Sequence, residues 1–354
     1  MRVVFLANGA PGSAAVERAE RIAAAIDGDT VVVARRASRW RDLLASAGRL
    51  RTFRPDVVYA VDLAVVPVVP AVAARPRTPL VVDTGDAPAD FLRLVGAPAA
   101  ARSAAALLER VAYGRSAAVV VRGPRHLEVL RARGVRNVHH VPDGVDLDVV
   151  RPVDDEALRV RLGLEGVLTV GISGRFTWYP KLGGGLGQEL VRALALVDGT
   201  PVHAVLIGDG PGLPHLRLLA QELGVAERLH VIGRVPYAEL SRYLGLCDVC
   251  LLTQTDDPSS QIRTTGKLPV YLASGRFVVA SRVGAAAEVL PEEMLLDYQG
   301  AWDEAYPARL ATRLEELARD PERREKGLAL REVARRFSYD RVAGEAAAVI
   351  EAVA

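Results

Sequence analysis

The sequence predicts an α/β protein with two doubly wound parallel sheets. Short apolar segments with the character of strands alternate with helical segments through the first half of the chain. The same alternation resumes after a polar, turn-rich stretch at residues 143–152. A chain of 354 residues with 50% hydrophobic content is long enough for about two domains, each with its own core. We therefore expect one doubly wound domain on each side of that stretch.

The strand-like segments define the extent of both domains. In the first half they lie at residues 3–7, 30–33, 56–59, 80–82, 118–121 and 138–141. In the second half they lie at residues 168–173, 202–207, 229–232, 249–252 and 277–280. An amphipathic helix is predicted at residues 339–353. We expect a first domain at residues 1–150 and a second at residues 153–337.

The composition excludes several functional classes. Lysine and arginine number 45 against 43 aspartate and glutamate, so a net charge of +2 gives no electrostatic basis for binding nucleic acid or an anionic membrane. Two cysteines are too few for a disulfide scaffold and are typical of a reducing compartment. The longest apolar stretch, residues 63–74, contains two prolines and is too short to cross a bilayer. We expect a cytoplasmic protein without a transmembrane segment.

The stretch VGISGRFTWYPK at residues 170–181 makes the most specific chemical suggestion in the chain. A buried strand runs into Gly174, where the chain can turn tightly, and the cations Arg175 and Lys181 follow. In α/β folds, ligands bind beyond the carboxyl ends of parallel strands, so both cations should project toward a bound anion. The alternative is a solvated loop with surface cations.

Three further predicted strands in the second half also end in ligand-type loops. These loops are Gly208-Asp-Gly-Pro-Gly212, Gly233-Arg-Val-Pro236 and the polar segment 253–267, which leads into a helix beginning near Lys267. Hydroxyl groups, backbone amides and the helix dipole there could bind a phosphate. Each loop alone is equally compatible with a structural turn, and the convergence of four such loops favours a site.

The first half offers a second, weaker candidate site. Gly9, Gly12 and Ser13 form a glycine-containing turn into a helix that Ser13 could cap, and Asp83 and Asp86 follow a predicted strand end. An acceptor hydroxyl could bind at these positions. Tight turns and helix capping explain the same residues equally well.

Two pairs of potential metal ligands are better explained by packing. Cys247 and Cys250 form a C-x-x-C without a second cysteine pair and flank an apolar strand, where cysteine acts as a small apolar residue. His139 and His140 are adjacent on a strand, so their side chains point to opposite faces. We predict no metal site.

At this point the chain resembles the retaining glycosyltransferases of the group 1 family, which have the GT-B fold. The resemblance covers nearly the whole chain and rests on an ordered series of segments: MRVVFLANG, HHVPDGVD, SGRFTWYPK, VLIGDGPGLPHL, HVIGRVPYAEL, CDVCLL, KLPVYLASGRFVVAS and FSYD. It implies two Rossmann-like domains facing across a cleft, with a terminal helix at residues 338–354 packing back on the first. It also implies a biosynthetic enzyme that moves a sugar from a nucleotide-diphosphate donor to an acceptor hydroxyl with retention.

The resemblance assigns a role to each candidate residue. The catalytic cations would be Arg175 and Lys181. The donor would contact Gly174, Gly208, Asp209, Gly210, Arg234, Val235, Thr264, Thr265, Gly266 and Lys267. The acceptor, a small molecule or glycan, would contact Gly9, Gly12, Ser13 and Asp86. The nucleotide sugar is a co-substrate, and no cofactor or metal ion is expected because the cations neutralise the diphosphate.

Four positions depart from the family pattern. Two glutamates of the family are Ile262 and Val270 here, and the second of them typically binds the ribose. The histidine of the acceptor loop is Gly85, and the asparagine of N-G-V-D is Asp143. These departures leave two alternatives open: a non-catalytic binding protein or auxiliary of this fold, and a nucleotide-sugar epimerase or hydrolase. The sequence specifies neither the base and sugar of the donor, nor the acceptor, nor the oligomeric state.

Overall fold

The computed structural model describes residues 1–36, 39–74 and 77–354 of the chain. It divides into two compact units. The first unit comprises Met1–Gly144, Pro258–Gly266 and Phe337–Ala354, and the second comprises Val145–Asp257 and Lys267–Arg336. Among the described residues, no helix combines the length and the apolar character needed to cross a membrane.

The strands are, in chain order, β1 (Arg2–Ala7), β2 (Asp29–Ala34), β3 (Val57–Val61), β4 (Leu80–Thr84), β5 (Ala118–Val121), β6 (Val138–His140), β7 (Leu168–Ser173), β8 (Trp178–Tyr179), β9 (Gly184–Gly185), β10 (Val202–Ile207), β11 (Leu229–Gly233), β12 (Val249–Leu252), β13 (Phe277–Ser281) and β14 (Leu295–Leu296).

The α-helices are α1 (Ala14–Ala24), α2 (Arg39–Phe53), α3 (Val65–Ala74), α4 (Pro88–Leu94), α5 (Ala99–Arg115), α6 (Pro124–Ala132), α7 (Glu156–Arg161), α8 (Gln188–Leu196), α9 (Leu213–Glu222), α10 (Leu240–Leu244), α11 (Pro258–Ile262), α12 (Lys267–Ser274), α13 (Gly284–Val289), α14 (Tyr306–Arg319), α15 (Arg323–Ala334) and α16 (Tyr339–Glu351).

Each unit contains a parallel sheet of the doubly wound kind that the alternating pattern predicts. The first sheet has the order β2-β1-β3-β4-β5-β6, and the second has the order β11-β10-β7-β12-β13-β14. The central strands are buried and rich in valine, because helices cover both faces of a parallel sheet. The prediction of two α/β sheets is confirmed.

The first unit recruits two distant segments of the chain. The terminal helix α16 packs against α1, and its buried face joins the core beneath β1 and β3. The short helix α11 packs against α4 and α6. Residues 258–266 therefore lie with the first unit, whereas the sequence interpretation placed all of residues 153–337 in one domain. The first unit resumes at Phe337, one residue before the expected helical segment.

A buried ion-pair network lies at the carboxyl ends of β3 to β6. Asp83 is fully buried and accepts hydrogen bonds from Nε of Arg18 at 2.7 Å, from Nε of Arg122 at 3.0 Å and from the hydroxyl of Tyr59 at 2.7 Å. Burial alone would raise the pKa of Asp83, but Arg18 and Arg122 hold that pKa below its ordinary value. Arg18 also donates to the carbonyl oxygens of Val141 and Pro142 at 3.0 and 2.7 Å, so it fixes the chain beyond β6.

Both cysteines are buried in the second unit. Cys247 fills the space beside Gly171, where a Cβ atom would lie 2.1 Å from its sulfur. Burial raises the pKa of Cys250 to about 12, so its thiol stays protonated at neutral pH. Both side chains therefore serve as core packing.

Replacing Arg18 should destabilise the first unit strongly. Arg18→Met leaves the buried Asp83 carboxylate short of one partner, and we expect the free energy of unfolding to fall by about 3 kcal/mol in urea titrations. The control is Arg93→Met, which removes a pair to Asp90 in which the arginine side chain is 65% exposed and should change stability by less than about 1 kcal/mol. Equal losses in the two variants would contradict this account of the network.

The buried His126 should make stability depend on pH. His126 is 1% exposed, and burial, assisted by Arg133, lowers its pKa to about 4. An unfolded chain titrates histidine near pH 6.5, so between about pH 6.5 and 4 the unfolded state binds more protons. The stabilisation from neutral His126 is therefore present above about pH 6.5 and lost as the pH falls, by roughly 2 to 3 kcal/mol at pH 4.

The test compares the protein with His126→Leu in urea titrations from pH 7 to pH 4. The variant lacks the titrating group, so its stability should fall less steeply across this window than that of the parent chain. Parallel curves for the two proteins would show that His126 does not contribute.

Candidate functional site

The strand order of the second sheet defines where a ligand would bind. Strand β7 lies between β10 and β12, where the chain order of the sheet reverses. In open α/β sheets this reversal leaves a crevice beyond the carboxyl ends of the strands. The loops after β7 and β10 are the segments 174–187 and 208–212, two of the four loops that the sequence singled out.

These two loops approach each other so closely that side chains are excluded between them. A Cβ atom on Gly208, which has φ +137°, would lie 1.9 Å from the carbonyl oxygen of Gly174. A Cβ atom on Gly210 would lie 2.1 Å from the carbonyl oxygen of Phe176. The amide of Phe176 donates to the carbonyl of Asp209 at 3.0 Å, and the amide of Gly212 donates back to Phe176 at 2.9 Å. The loops therefore form one backbone surface.

Basic side chains surround this surface. Arg175 is exposed directly after Gly174, and Lys181 is exposed at the end of a small hairpin formed by β8 and β9. Lys267 begins α12, and its Cε and Nζ atoms lie 2.8 and 3.3 Å from the position a Cβ atom of Gly174 would take. The sequence described residues 174–181 as a loop, and the structure adds the antiparallel hairpin.

Lysine is rare in this chain, and two of its lysines, Lys181 and Lys267, lie at this surface. Of the 45 basic residues only Lys181, Lys267 and Lys326 are lysine. Lys326 lies in α15 and pairs with Asp320, Glu293 and Glu322. The other two lysines are both at the carboxyl-end surface of the second sheet. A lysine supplies a compact charge that moves freely, whereas arginine supplies a planar fork.

The loop after β11 joins the same surface. The amide of Gly208 donates to the carbonyl of Gly233 at 2.7 Å, which places Arg234 and Val235 beside the loop after β10. Arg234 is exposed and Val235 is half-buried. Asp209 is exposed, and its Oδ1 atom accepts from the amide of Gly210 at 2.7 Å. The second unit thus brings together Gly174, Arg175, Lys181, Gly208, Asp209, Gly210, Arg234, Val235 and Lys267.

The segment Thr264 to Gly266 lies in the first unit, whereas the sequence interpretation placed it in the second domain. The amide of Thr264 donates to the carbonyl of Gly85 at 3.1 Å, and its hydroxyl donates to Oδ2 of Asp143 at 3.0 Å. A Cβ atom on Gly123 would lie 2.8 Å from the methyl group of Thr264. Thr264, Thr265 and Gly266 therefore belong to the first unit, and their role toward a donor stays a prediction.

The turn after β1 is the candidate acceptor site of the first unit. The first sheet reverses its chain order between β1 and β3, so this turn also lies at a reversal point. Gly12 has φ +75°, and the carbonyl of Gly9 accepts from the amide of Arg35 at 2.8 Å. Ser13 occupies the cap position of α1 without a side-chain cap, which corrects the expected capping role. Its buried Oγ has no hydrogen-bond partner among the described residues.

Asp86 lies near both positively and negatively charged side chains, which shift its pKa in opposite directions. Asp86 is exposed, but desolvation by neighbouring atoms raises its pKa, with Arg263 opposing this effect and Asp62 adding to it. Its backbone carbonyl accepts from the hydroxyl of Thr84 at 2.7 Å, which fixes the turn after β4. A carboxylate at this position can accept a hydrogen bond from an acceptor hydroxyl.

Sequence reasoning missed the guanidinium group that dominates this edge of the first sheet. Arg122 follows β5 and is only 12% exposed at its side chain. It pairs with Asp62 at 2.6 Å and with Asp143 at 3.4 Å, in addition to Asp83. A weak signal was present for Arg18, the other arginine bound to Asp83, which interrupts the apolar face of α1 formed by Ala15, Ala19 and Ile22.

The positions that depart from the family pattern are apolar or filled. Ile262 in α11 and Val270 in α12 are 4% and 9% exposed, so neither offers a polar atom to a ribose. The buried Gly85 has Arg122 and Thr264 against its backbone, where a Cβ atom would lie 3.0 Å from each. Among the described residues, no three potential metal ligands converge.

Comparisons with known proteins agree with this architecture. Residues 169–320 match the family model described as "Glycosyl transferases group 1". A 2-deoxystreptamine glucosyltransferase of Streptomyces kanamyceticus is 28% identical over 196 residues, which cover 52% of this chain and 47% of that protein. A GDP-mannose-dependent alpha-(1-6)-phosphatidylinositol monomannoside mannosyltransferase of Mycolicibacterium smegmatis is 33% identical over 161 residues, covering 43% of this chain and 40% of that protein. The chain thus spans less than half the length of these relatives.

Solved structures resemble the whole chain. Sucrose-phosphate synthase of Thermosynechococcus elongatus aligns with a TM-score of 0.76 at 17% identity, covering 100% of this chain and 99% of that one. Anabaena Alr3699/HepE, in complex with UDP and glucose, aligns with a TM-score of 0.76 at 19% identity, covering 99% of this chain and 100% of that one. At these identities the likeness establishes the fold. The match to the group 1 glycosyltransferase family thus covers residues 169–320, and the chain has the GT-B fold.

Proposed function

We propose that this protein transfers a sugar from a nucleoside-diphosphate donor to an acceptor hydroxyl, with retention of the anomeric configuration. The observation that carries the proposal is the interlocked surface after β7 and β10. Arg175 directly follows Gly174, Lys181 lies at the end of the adjoining hairpin, and both side chains are exposed. Lys267 packs on Gly174. Closely packed glycine backbone lets a diphosphate approach the main chain, and the cations match its charge.

The chemistry follows from the charge that develops during transfer. The bond between the anomeric carbon and the donor phosphate breaks, and its electron pair goes to the departing nucleoside diphosphate. The acceptor oxygen forms the new bond, and its proton passes to an oxygen of the leaving phosphate on the same face. Arg175 binds the phosphate through two N–H groups and Lys181 adds a point charge, so both stabilise the leaving group. We propose that these cations take the place of a divalent metal ion.

The relatives support this class of donor. The curated relatives are named as a glucosyltransferase and a mannosyltransferase, and the second uses GDP-mannose. The structural neighbour from Anabaena is described in complex with UDP-glucose. We extend from these proteins only the donor class, a nucleoside diphosphate bearing a hexose. We further propose that the first unit recognises the acceptor hydroxyl through Gly9, Gly12, Ser13 and Asp86.

A second candidate function is a non-catalytic binding protein of the same fold. It is favoured by Ile262 and Val270, which are buried apolar residues where the family carries glutamates. The absence of a carboxylate at these positions would weaken ribose binding more than phosphate binding. A protein of this kind would bind a nucleotide or sugar without transferring it.

Replacing either cation should reduce transfer far more than it disturbs folding. We expect Arg175→Ala and Lys181→Ala each to lower turnover about 10²- to 10³-fold, because each removes a donor to the leaving phosphate. Both side chains are exposed, so the unfolding midpoint should change little. The measurement is release of nucleoside diphosphate with a panel of nucleotide sugars, and Lys326→Ala is the matched control. Turnover equal to that of the parent in both variants would refute the proposed mechanism.

Nucleoside diphosphates should stabilise the protein in thermal denaturation. A ligand present at 100 times its dissociation constant adds about 2.7 kcal/mol, and we expect a diphosphate to shift the midpoint more than the matching monophosphate, because the β-phosphate contacts Arg175 and Lys181. The panel comprises the uridine, guanosine, thymidine and adenosine nucleotides, each with and without EDTA. Loss of the shift in EDTA would contradict metal-independent binding. Binding of a diphosphate without transfer from any sugar donor would favour the second candidate function.

A further inference from the structure

The position of Lys181 depends on a small hairpin whose outer end is far from the sheet contacts. Strands β8 and β9 pair Trp178 with Gly185 and Tyr179 with Gly184. The end of the hairpin is a single 3₁₀ turn, Pro180–Leu182, closed by Gly183 with φ +62°. A two-stranded hairpin of this length has little stability of its own. Contacts with the rest of the second unit therefore contribute to the stability of the hairpin.

Contacts with neighbouring elements fix the base of the hairpin. The hydrogen bonds between Phe176 and the loop after β10 tie down the entry of the hairpin. On the return side, a Cβ atom on Gly184 would lie 2.1 Å from the side-chain nitrogen of Gln188, the first residue of α8. These contacts anchor both legs. Side-chain packing adds to this anchoring.

A stacked ring pair supplies that packing. The rings of Trp178 and His215 are 4.3 Å apart between centroids and lie within 10° of parallel. Trp178 is half-buried on β8, and His215 is exposed on the first turn of α9. Helix α9 begins directly after the Gly208–Gly212 loop. The stack therefore connects the strand that carries Lys181 to the helix that follows the second ligand loop.

We propose that Trp178 and His215 are positioning residues that hold the Lys181 hairpin against α9. Neither ring needs to touch the donor. Their contact fixes the backbone that carries Lys181 relative to the Gly208–Gly212 loop, so that both loops present one preorganised surface to the diphosphate. The ligand in this inference rests on the proposed function. The structural part, the restraint on the hairpin, does not.

The three lysines of the chain allow a direct test of the restraint. Endoproteinase Lys-C cleaves after lysine, so native protein offers it Lys181, Lys267 and Lys326. Cleavage after Lys181 gives fragments of residues 1–181 and 182–354. The protease needs an extended segment around its target, so the rate of this cleavage reports how often the hairpin detaches. Cleavage after the other two lysines serves as an internal reference.

In the ligand-free protein, Trp178→Leu and His215→Leu should each accelerate cleavage after Lys181 about two- to tenfold, the range expected for loss of a stacked aromatic pair. Because one contact is removed in each case, the double variant should be no faster than the faster single variant. Trp178→Phe keeps a ring and should cleave at close to the parent rate. The matched control is Trp40→Leu, which removes a tryptophan that is 79% exposed on α2 and should leave the rate unchanged. Parent-like rates in both leucine variants would overturn the inference.

A kinetic cycle separates positioning from general packing. Trp178→Leu should lower kcat with a nucleotide-sugar donor, and the same change made on Lys181→Ala should lower it much less, since the lysine it positions is already gone. Equal losses in the two backgrounds would overturn the positioning role.

Failure of the proposed function would show itself differently. Uridine, guanosine, thymidine and adenosine diphosphates would then either give no protection of Lys181 from Lys-C in the parent chain or protect it without any sugar being transferred. Accelerated cleavage in the leucine variants without ligand would still establish the restraint on the hairpin. The two conclusions are therefore tested by independent measurements on the same chain of 354 residues.

Discussion

The close approach of two backbone loops is the constraint on which the second unit depends. Gly208 and Gly174 meet with no space for a side chain between them, and Gly210 lies as close to Phe176. A larger residue at either position would force the loops apart and move Arg175, the hairpin and α9 together. Internal hydrogen bonds occupy the amides of Phe176, Gly208 and Gly212, so this approach is closed by the main chain itself. The charge that the proposed diphosphate requires would come from the exposed cations beside it.

In the first unit, a buried ion-pair network lies at the corresponding edge of the sheet. Arg18 and Arg122 converge on Asp83, and Arg122 also pairs with Asp62 and Asp143. Such a network is stable because every charge has a partner, and its geometry ties the ends of β3, β4 and β5 to the segment after β6. The hydroxyl of Thr264 joins the network through Asp143. The positive charges of Arg18 and Arg122 are thus closely matched by carboxylates at this edge.

Local patterns predicted the fold well because a buried parallel strand has a recognisable composition. Strands β5, β7, β10 and β12 agree with the predicted segments to the residue. Strand β14 was missed because it has only two residues, and the β8–β9 hairpin because glycine gives no alternation of side chains. The placement of Pro258–Gly266 with the first unit depends on packing between residues far apart in sequence, which periodicity does not contain. The same holds for Arg18 and Asp83, which are 65 positions apart.

Some residues of the candidate site could be predicted from the sequence, whereas others are recognisable only from their contacts in the fold. The glycine and cation positions after β7 could be predicted from the sequence, because glycine permits tight turns and a cation can bind an anion whatever the surrounding sequence. The stack of Trp178 on His215 could not be predicted, since neither residue forms a motif with its neighbours.

Arginine and lysine have different roles in this chain. Arg159 and Arg331 each donate to several carbonyl oxygens, a role that suits the planar fork of arginine in fixing the fold. Lysine cannot replace that geometry, but its flexible stem lets a charge follow a phosphate whose position changes during transfer. The concentration of two of the three lysines on one surface is therefore explained by the chemistry proposed for that surface rather than by the needs of the fold.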